Sequence, residues 1–297
     1  MASREIDPVL LEEQRLARDL ASVDFATVHA AAAERPAARR AAAPCPICRG
    51  SFGPVIDAVD LLKGQAILTA HAVVDGVLEL RQLSSTRHRD DLDSVPPMDA
   101  IAIFEGIAKA EAFLLACGDP RFPETGAGRR GWVTVAKRRH ARGHGFQSIR
   151  LHASEPPAVA RERAFIARHG AGRPSALETR NPPELLVGEF RGGLAAAVPA
   201  DARRAFETVI WFRPGATGWI SELTGNQRWG LAQAVREITG ALRLELAVRG
   251  LPERYRWRMV AGPRIEPYLR LVTPAGTNVT DGPRDWVGQL RTHIGVE

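Results

Sequence analysis

Five prolines between residues 155 and 184 constrain this chain more than any other feature: Pro156, Pro157, Pro174, Pro182 and Pro183. Proline fixes φ and lacks an N–H, so neither a long helix nor a central strand runs through such a stretch. The chain is therefore expected to divide here. The same element order is read on both sides of the break. Before it, residues 66–83 (AILTAHAVVDGVLELRQL) read as two strands joined by a tight turn at Asp75 and Gly76. The polar loop SSTRHRDDLDSVPP leads to a helix over 98–117, apolar at i, i+3, i+4 spacing and ended by Gly118 and Pro120. RGWVTVAK (130–137) and FQSIRLHA then read as strands. After the break, ELLVGEF, GGLAAAVP and FETVIWF read as strands, residues 225–243 as a helix, the segment around YRWRMV as a strand pair, and about 284–291 as a last helix. Strand, strand, loop, helix, strand recurs, which predicts an internal duplication. An amphipathic helix over 8–21 and an Ala-, Arg- and Pro-rich linker over 31–44 precede both halves.

The strand containing Tyr255, Arg256, Trp257 and Arg258 poses a chemical problem. Alternation puts Arg256 and Arg258 on one face, about 7 Å apart, where they repel each other unless an anion lies between them. Arginine neither ligates zinc nor serves as a base at neutral pH, but it clamps phosphate or carboxylate in a bidentate manner. The pair is expected to neutralise a bound anion or to pair with acids such as Glu245 or Glu266. A solvated strand face is the other reading.

Charge does not make this a nucleic-acid binder. The net charge is +6, and 37 of the 40 basic residues are Arg. They are scattered apart from the cluster KRRHARGH at 137–144, so nucleic acid is not the expected partner. No apolar run reaches the roughly 18–20 residues of a membrane span. The opening MASREIDPVLLEEQ has early acids and no apolar h-region. The expectation is a cytoplasmic protein without a membrane partner. Three cysteines, Cys45 and Cys48 in a C-x-x-C and Cys117 alone in a helix, argue against a disulfide framework. With Pro44 and Pro46 stiffening the knuckle, Cys45, Cys48 and His88 form a candidate zinc site, its fourth ligand to come from His144, His140 or His152. The alternative is a reduced pair without metal.

Residues 205–242 (AFETVIWFRPGATGWISELTGNQRWGLAQAVREITGAL) bring in a family. Phe206-Glu207-Thr208 on a strand, then Leu223-Thr224, then Arg228, Leu231 and Ala232 on a helix resemble the second half of galactose-1-phosphate uridylyltransferase and its relatives in the histidine-triad superfamily. Tyr255-Arg256-Trp257-Arg258 stands where those proteins carry a His-Trp-x-His-like strand; Pro263, Arg264, the PAG at 274–276 and the LR at 290–291 fit as well. In the first half Cys45 and Cys48 match the family's zinc knuckle, His88 its loop histidine, DPRF at 119–122 a phrase after the first helix, and Arg150-Leu151-His152-Ala153-Ser154 its His-Pro-His-x-Gln strand. The resemblance spans roughly 41–292.

It implies an α+β fold of two histidine-triad-like halves, each an antiparallel sheet with helices, packed as an internal pseudo-dimer. The domains would be residues 1–40 (helix and linker), 41–170 (first half) and 171–297 (second half). It implies a nucleotidyltransferase-like enzyme acting on a phosphorylated small molecule or nucleotide, with His152 as the nucleophile, and homodimers as one assembly state. Arg150 replaces the family's first histidine, Ser154 its glutamine, and RRHARGHG its Asn-x-Gly loop. Arg150, Arg256, Arg258, Arg139 and Arg142 are the candidate substrate-binding residues; Cys45, Cys48, His88 and His144 the candidate zinc ligands. His152 is either nucleophile, zinc ligand or structural histidine, and the basic loop either wraps phosphates or is plain exposed surface. The alternative function is a repurposed relative with different chemistry in a specialised biosynthetic pathway, or an anion-binding protein without catalysis.

The zinc expectation has a direct test. Elemental analysis of the purified protein should give about one zinc per chain, lost in Cys45→Ser together with stability, because structural zinc binding is folding energy. Zinc near zero in the parent removes the site.

Overall fold

A computed structural model gives the architecture for residues 55–61, 64–73, 77–83, 95–116, 124–126, 129–130, 132–139, 145–152, 154–213, 218–262, 265–274, 277 and 279–295. The expected helix over 8–21, the 31–44 linker and the Asp75–Gly76 turn lie outside these residues. In chain order the elements are β1 (Val55–Leu61), β2 (Gly64–Val73), β3 (Val77–Leu83), α1 (Pro97–Ala116), β4 (Glu124–Gly126), β5 (Arg129–Arg130), β6 (Trp132–Arg139) and β7 (Gly145–His152). They continue with α2 (Pro157–His169), α3 (Arg173–Arg180), β8 (Leu186–Phe190), β9 (Leu194–Ala197), β10 (Thr208–Phe212), α4 (Gly225–Val248), β11 (Arg256–Gly262), β12 (Ile265–Val272) and α5 (Pro283–Ile294). The class is α+β, as expected. Among the described residues no helix is long and apolar enough to cross a membrane.

Ten strands form one sheet in the order β1-β2-β3-β7-β6-β11-β12-β10-β9-β8, and β4 pairs with β5 separately. Every neighbouring pair in the large sheet is antiparallel. Each side of the β6–β11 junction contributes three strands, a helix and a further strand pair. In the first half that is one strand more than the sequence reading anticipated, since β1 precedes the expected hairpin.

Alternation assigns the two sheet faces. On one, Val133, Val135, Ile149, Leu151, Ile210, Trp257, Met259, Leu269 and Leu271 form the main core with Ile103 and Ile107 of α1 and Leu231 and Ile238 of α4. The other face holds a smaller cluster in which Val209, Trp211, Val260 and Tyr268 pack with Val159 of α2. Helices α2 and α3 lie within the stretch that the prolines were expected to leave broken. Pro157 and Pro174 sit in the first turn of each helix, where the missing N–H has no intrahelical acceptor to lose. The prolines therefore start two short helices, the first of which ends at Gly170 in the left-handed conformation.

Helix α4 opens with a capping box, Thr224 Oγ1 accepting from Gln227 N while the Gln227 side chain takes the Thr224 N–H. It then crosses the β8–β9 turn at contact distance. Gly192 and Gly193 of that turn have φ of 78° and 73°. A Cβ on Gly230 would lie 1.8 Å from the Arg191 carbonyl oxygen. Gly230→Ala should therefore cost roughly 1–3 kcal/mol, the range for overpacking. Urea denaturation measures it; a change below about 0.5 kcal/mol would mean the helix moves off the turn freely.

Candidate functional site

The β6–β11 junction sets the site. Arg258 pairs with Ala136 and Met259 with Val135 across it. On the far side of β6, Ala136 pairs with Ser148, and Thr134 with Arg150. Ser148, Arg150 and His152 occupy alternate positions of β7 and so share one face with Thr134, Ala136, Arg138, Arg256 and Arg258. This is the face opposite the main core: Trp257 and Met259 are each 2% exposed, while Arg256 and Arg258 stand out of the sheet. The predicted alternation of the arginine strand is realised.

His152 is partly buried at the end of β7. Its Nε2 lies 2.8 Å from Thr134 Oγ1. Burial, with help from the Arg150 and Arg258 guanidinium groups, pulls the imidazole down to about 4. It is neutral throughout the physiological range. Beside it, Glu79 is the anchor of a small network. Ser148 Oγ donates to Glu79 Oε1 at 2.5 Å, Arg81 Nη2 to Oε2 at 3.1 Å, and Arg150 Nη2 to Oε1 at 3.4 Å. Arg150 Nε also donates to Ser148 Oγ at 3.1 Å. Burial pushes the Glu79 carboxyl up, but Ser148, Arg81 and Arg150 outweigh it and hold it below its ordinary value. Arg150 is thus oriented by an ionised carboxylate with its charge partly offset.

Arg256 and Arg258 are placed differently. They line a cavity of about 330 Å³ between β6, β11, β12 and α2, together with Arg138, Arg161 and Arg270. Burial and then the neighbouring charges of Arg161, Arg270 and Arg150 lower the Arg258 proton affinity. Neither acid expected to pair with the arginines does so. Glu245 is engaged by Arg249 at 2.5 Å and His293 at 3.1 Å. Glu266 accepts from Ser175 N at 3.0 Å and Ser175 Oγ at 2.5 Å. Both are committed to their own helix neighbours, α5 in one case and α3 in the other, which proximity in sequence to β11 did not foretell.

Of the remaining candidates, Arg139 closes β6, and Arg142, His144, Cys45, Cys48 and His88 lie outside the described residues. Among the described residues no group of three or more His, Cys, Asp or Glu side chains could hold a metal ion. His152 and Arg150 share the sheet face of Arg256 and Arg258 but do not line the cavity. Sequence reading missed Glu79, Ser148 and Thr134, although Ser148 could have been found by stepping back two and four residues from Arg150 and His152. Arg161 was hidden because its helix fell in the proline-broken stretch.

The fold defined by this sheet is that of the uridylyltransferases. The chain is similar to the structure of a uridylyltransferase (TM-score 0.60, 15% identity, 80% of this chain and 81% of that one). It is also similar to an ADP-glucose phosphorylase from Arabidopsis thaliana with bound ADP-glucose (TM-score 0.65, 14% identity, 88% and 92%) and to a GALT-like protein from the same plant (TM-score 0.65, 13% identity, 83% and 91%). No protein-family model matches the sequence, and no curated protein matches it.

The depressed imidazole has a thermodynamic signature. A folded-state value near 4, against about 6.5 unfolded, means the unfolded chain binds the proton more readily between those pH values. His152 therefore contributes full stability above about pH 6.5, and that contribution falls away as pH drops through 4. The parent should lose more stability than His152→Gln between pH 7 and pH 4, by roughly 1–2 kcal/mol once solvent screening of this partly exposed ring is allowed for. Paired urea titrations measure the difference, and imidazole NMR shifts give the midpoint directly; a midpoint at 6 or above refutes the assignment.

Proposed function

We propose that this protein is a divergent nucleotidyltransferase-like enzyme acting on a phosphorylated or nucleotide-containing substrate through His152. The observation that carries the reading is a neutral imidazole on an arginine-rich sheet face, in a chain with the fold of a uridylyltransferase. In the first step an imidazole nitrogen attacks phosphorus, an N–P bond forms, and a P–O bond breaks, the electron pair leaving on the departing phosphate oxygen. In the second step an acceptor oxygen attacks the same phosphorus and the imidazole leaves with its lone pair. In the tautomer protonated on Nε2, the bond to Thr134 fixes the ring and leaves the Nδ1 lone pair to attack. Arg150, Arg256, Arg258, Arg139 and Arg142 are assigned to the phosphates.

Further parts of this reading follow the resemblance. Zinc is assigned to Cys45, Cys48, His88 and His144, and supplies structural cross-linking when bound. Residues 41–170 and 171–297 are taken as two histidine-triad-like halves of a pseudo-dimer behind an N-terminal 1–40 segment; the mirrored strand orders 1-2-3-7-6 and 8-9-10-12-11 support this. Cytoplasmic location and homodimerisation belong to the same reading. The second reading, anion binding without catalysis, is favoured by the cavity itself, whose lining holds arginines and not His152.

Incubation with labelled nucleoside triphosphates and nucleotide sugars should trap an acid-labile adduct that His152→Ala abolishes while zinc content stays unchanged. Arg256→Ala and Arg258→Ala should each weaken ligand binding by roughly 1.5–3 kcal/mol with little change in melting temperature. Turnover persisting in His152→Ala would exclude the covalent route, and metal lost together with fold would make His152 a ligand.

A further inference from the structure

We propose that the cavity between β6, β11, β12 and α2 binds a compact polyanion of the linear phosphoanhydride class, with at least three negative charges, held between sheet arginines and Arg161 of the helix. The proposal rests on the assignment of Arg256 and Arg258 to phosphate and extends it to residues and a ligand charge that the histidine chemistry does not require.

The charge balance of the cavity carries it. Seven arginines line the cavity against one carboxylate, Glu162. Glu162 is already spoken for: Arg173 donates through its backbone N–H at 3.0 Å and its Nε at 3.2 Å, and Tyr268 donates its hydroxyl at 2.9 Å. Arg270 is paired with Glu207, Nε to Oε1 at 2.8 Å, and Arg204 donates to the Thr273 carbonyl at 3.3 Å. Arg138, Arg161, Arg256 and Arg258 have no hydrogen bond or ion pair with any described residue. Four guanidinium groups around one small cavity, none of them hydrogen-bonded or ion-paired to a described acid, repel one another; only Arg138 is offset in part, by the field of Glu79. A phosphate monoester brings two charges at most and leaves half of them unmatched. A diphosphate or triphosphate brings three or four and presents oxygens on both sides at once, which suits donors that converge from a sheet and a helix.

Size and field agree with that class. A volume of about 330 Å³ falls at the small end of ligand pockets, roughly 300–1,000 Å³, so the site suits a compact ion and not a nucleic-acid strand. Helix α2 runs thirteen residues from Pro157, with Ala158 and Arg161 of its first turns on the cavity wall. No side chain caps its N-terminus and no acid occupies its first turn, so its dipole adds to the positive potential. On the opposite wall Val260 and Tyr268 are buried in the smaller core cluster, which keeps the strand arginines standing over a firm floor.

Calorimetry on the full chain at fixed ionic strength, with orthophosphate, pyrophosphate and inorganic tripolyphosphate, tests the idea. Tripolyphosphate should bind at least tenfold more tightly than orthophosphate. Arg161→Gln and Arg258→Gln should each weaken tripolyphosphate binding tenfold or more, with melting temperatures equal to or above the parent's because repulsion is relieved. Arg168→Gln, an exposed change on the same helix outside the cavity, should leave affinity as it was. Arms with ADP and ATP distinguish the source of the anion: tighter binding than pyrophosphate and tripolyphosphate assigns the site to the phosphate tail of a nucleotide, and equal or weaker binding to the free polyanion. Affinity independent of phosphate number, or an equal loss in Arg168→Gln, overturns the proposal. Failure of the histidine mechanism would look different: no labelled adduct, with the dependence on phosphate number intact.

Discussion

The short ladder between β6 and β11 is the contact on which the site depends. Two residue pairs, Arg258 with Ala136 and Met259 with Val135, join the strands on either side of it into one sheet. Side-chain parity then decides everything nearby, since a slip of one residue would carry Arg256 and Arg258 into the core and expel Trp257 and Met259. Each large apolar side chain so exposed forfeits about 1.5–3 kcal/mol, and an unpaired buried guanidinium costs several more. The register is guarded further by α1, whose Phe104 ring stacks on Trp257 at 6.2 Å. Helices α1 and α4 clamp the same seam from the core side. Arg228 Nε reaches both Glu105 oxygens at 2.8 Å, and Glu111 accepts the Ser221 N–H at 2.7 Å.

This arrangement obliges the protein to tolerate like charges on neighbouring strands. Arg258 lies directly opposite Arg270, a pairing that costs stability in an antiparallel ladder. Glu207 offsets Arg270, and Glu79 offsets Arg81 and Arg150, but no described acid does this for Arg258. The contrast is informative because the fold can place carboxylates on this face. Glu79 is buried there, ionised and shared between two arginines. Where structure alone was at stake, a carboxylate was supplied. At Arg258 none of the described acids takes that place, and this gap is what the proposed external anion would fill.

The sheet was legible in the sequence and its far contacts were not. Alternation across Tyr255–Arg258 and the apolar spacing of α1 and α4 follow from local periodicity, so the strands and long helices could be read directly. The junction of β6 with β11 could not, because strand order is a property of packing between segments more than a hundred residues apart. That junction makes Ser148, Thr134 and Arg258 neighbours. The prolines misled in a specific manner: they mark breaks, but Pro157 and Pro174 also open helices, and Arg161 rides on one of them. The expected pairing with Glu245 or Glu266 failed for the same reason, since His293 and Ser175, from distant segments, claim those carboxylates.

His152 and the arginines are coupled, and this links the two parts of the face. Burial is the larger cause of the low imidazole proton affinity, and the cationic field of Arg150 and Arg258 adds to it. An anion settling against Arg258 cancels part of that field while leaving the burial in place. The proton affinity of His152 then rises, yet from near 4 it has more than two pH units to climb before a proton competes at neutral pH. The imidazole can therefore stand beside a bound phosphate and keep its lone pair, which an ordinary surface histidine with a value near 6.5 would not do as reliably next to such an anion. Burial holds the imidazole neutral, and the alternation of β6, β7 and β11 keeps it on the same side of the sheet as Arg256 and Arg258.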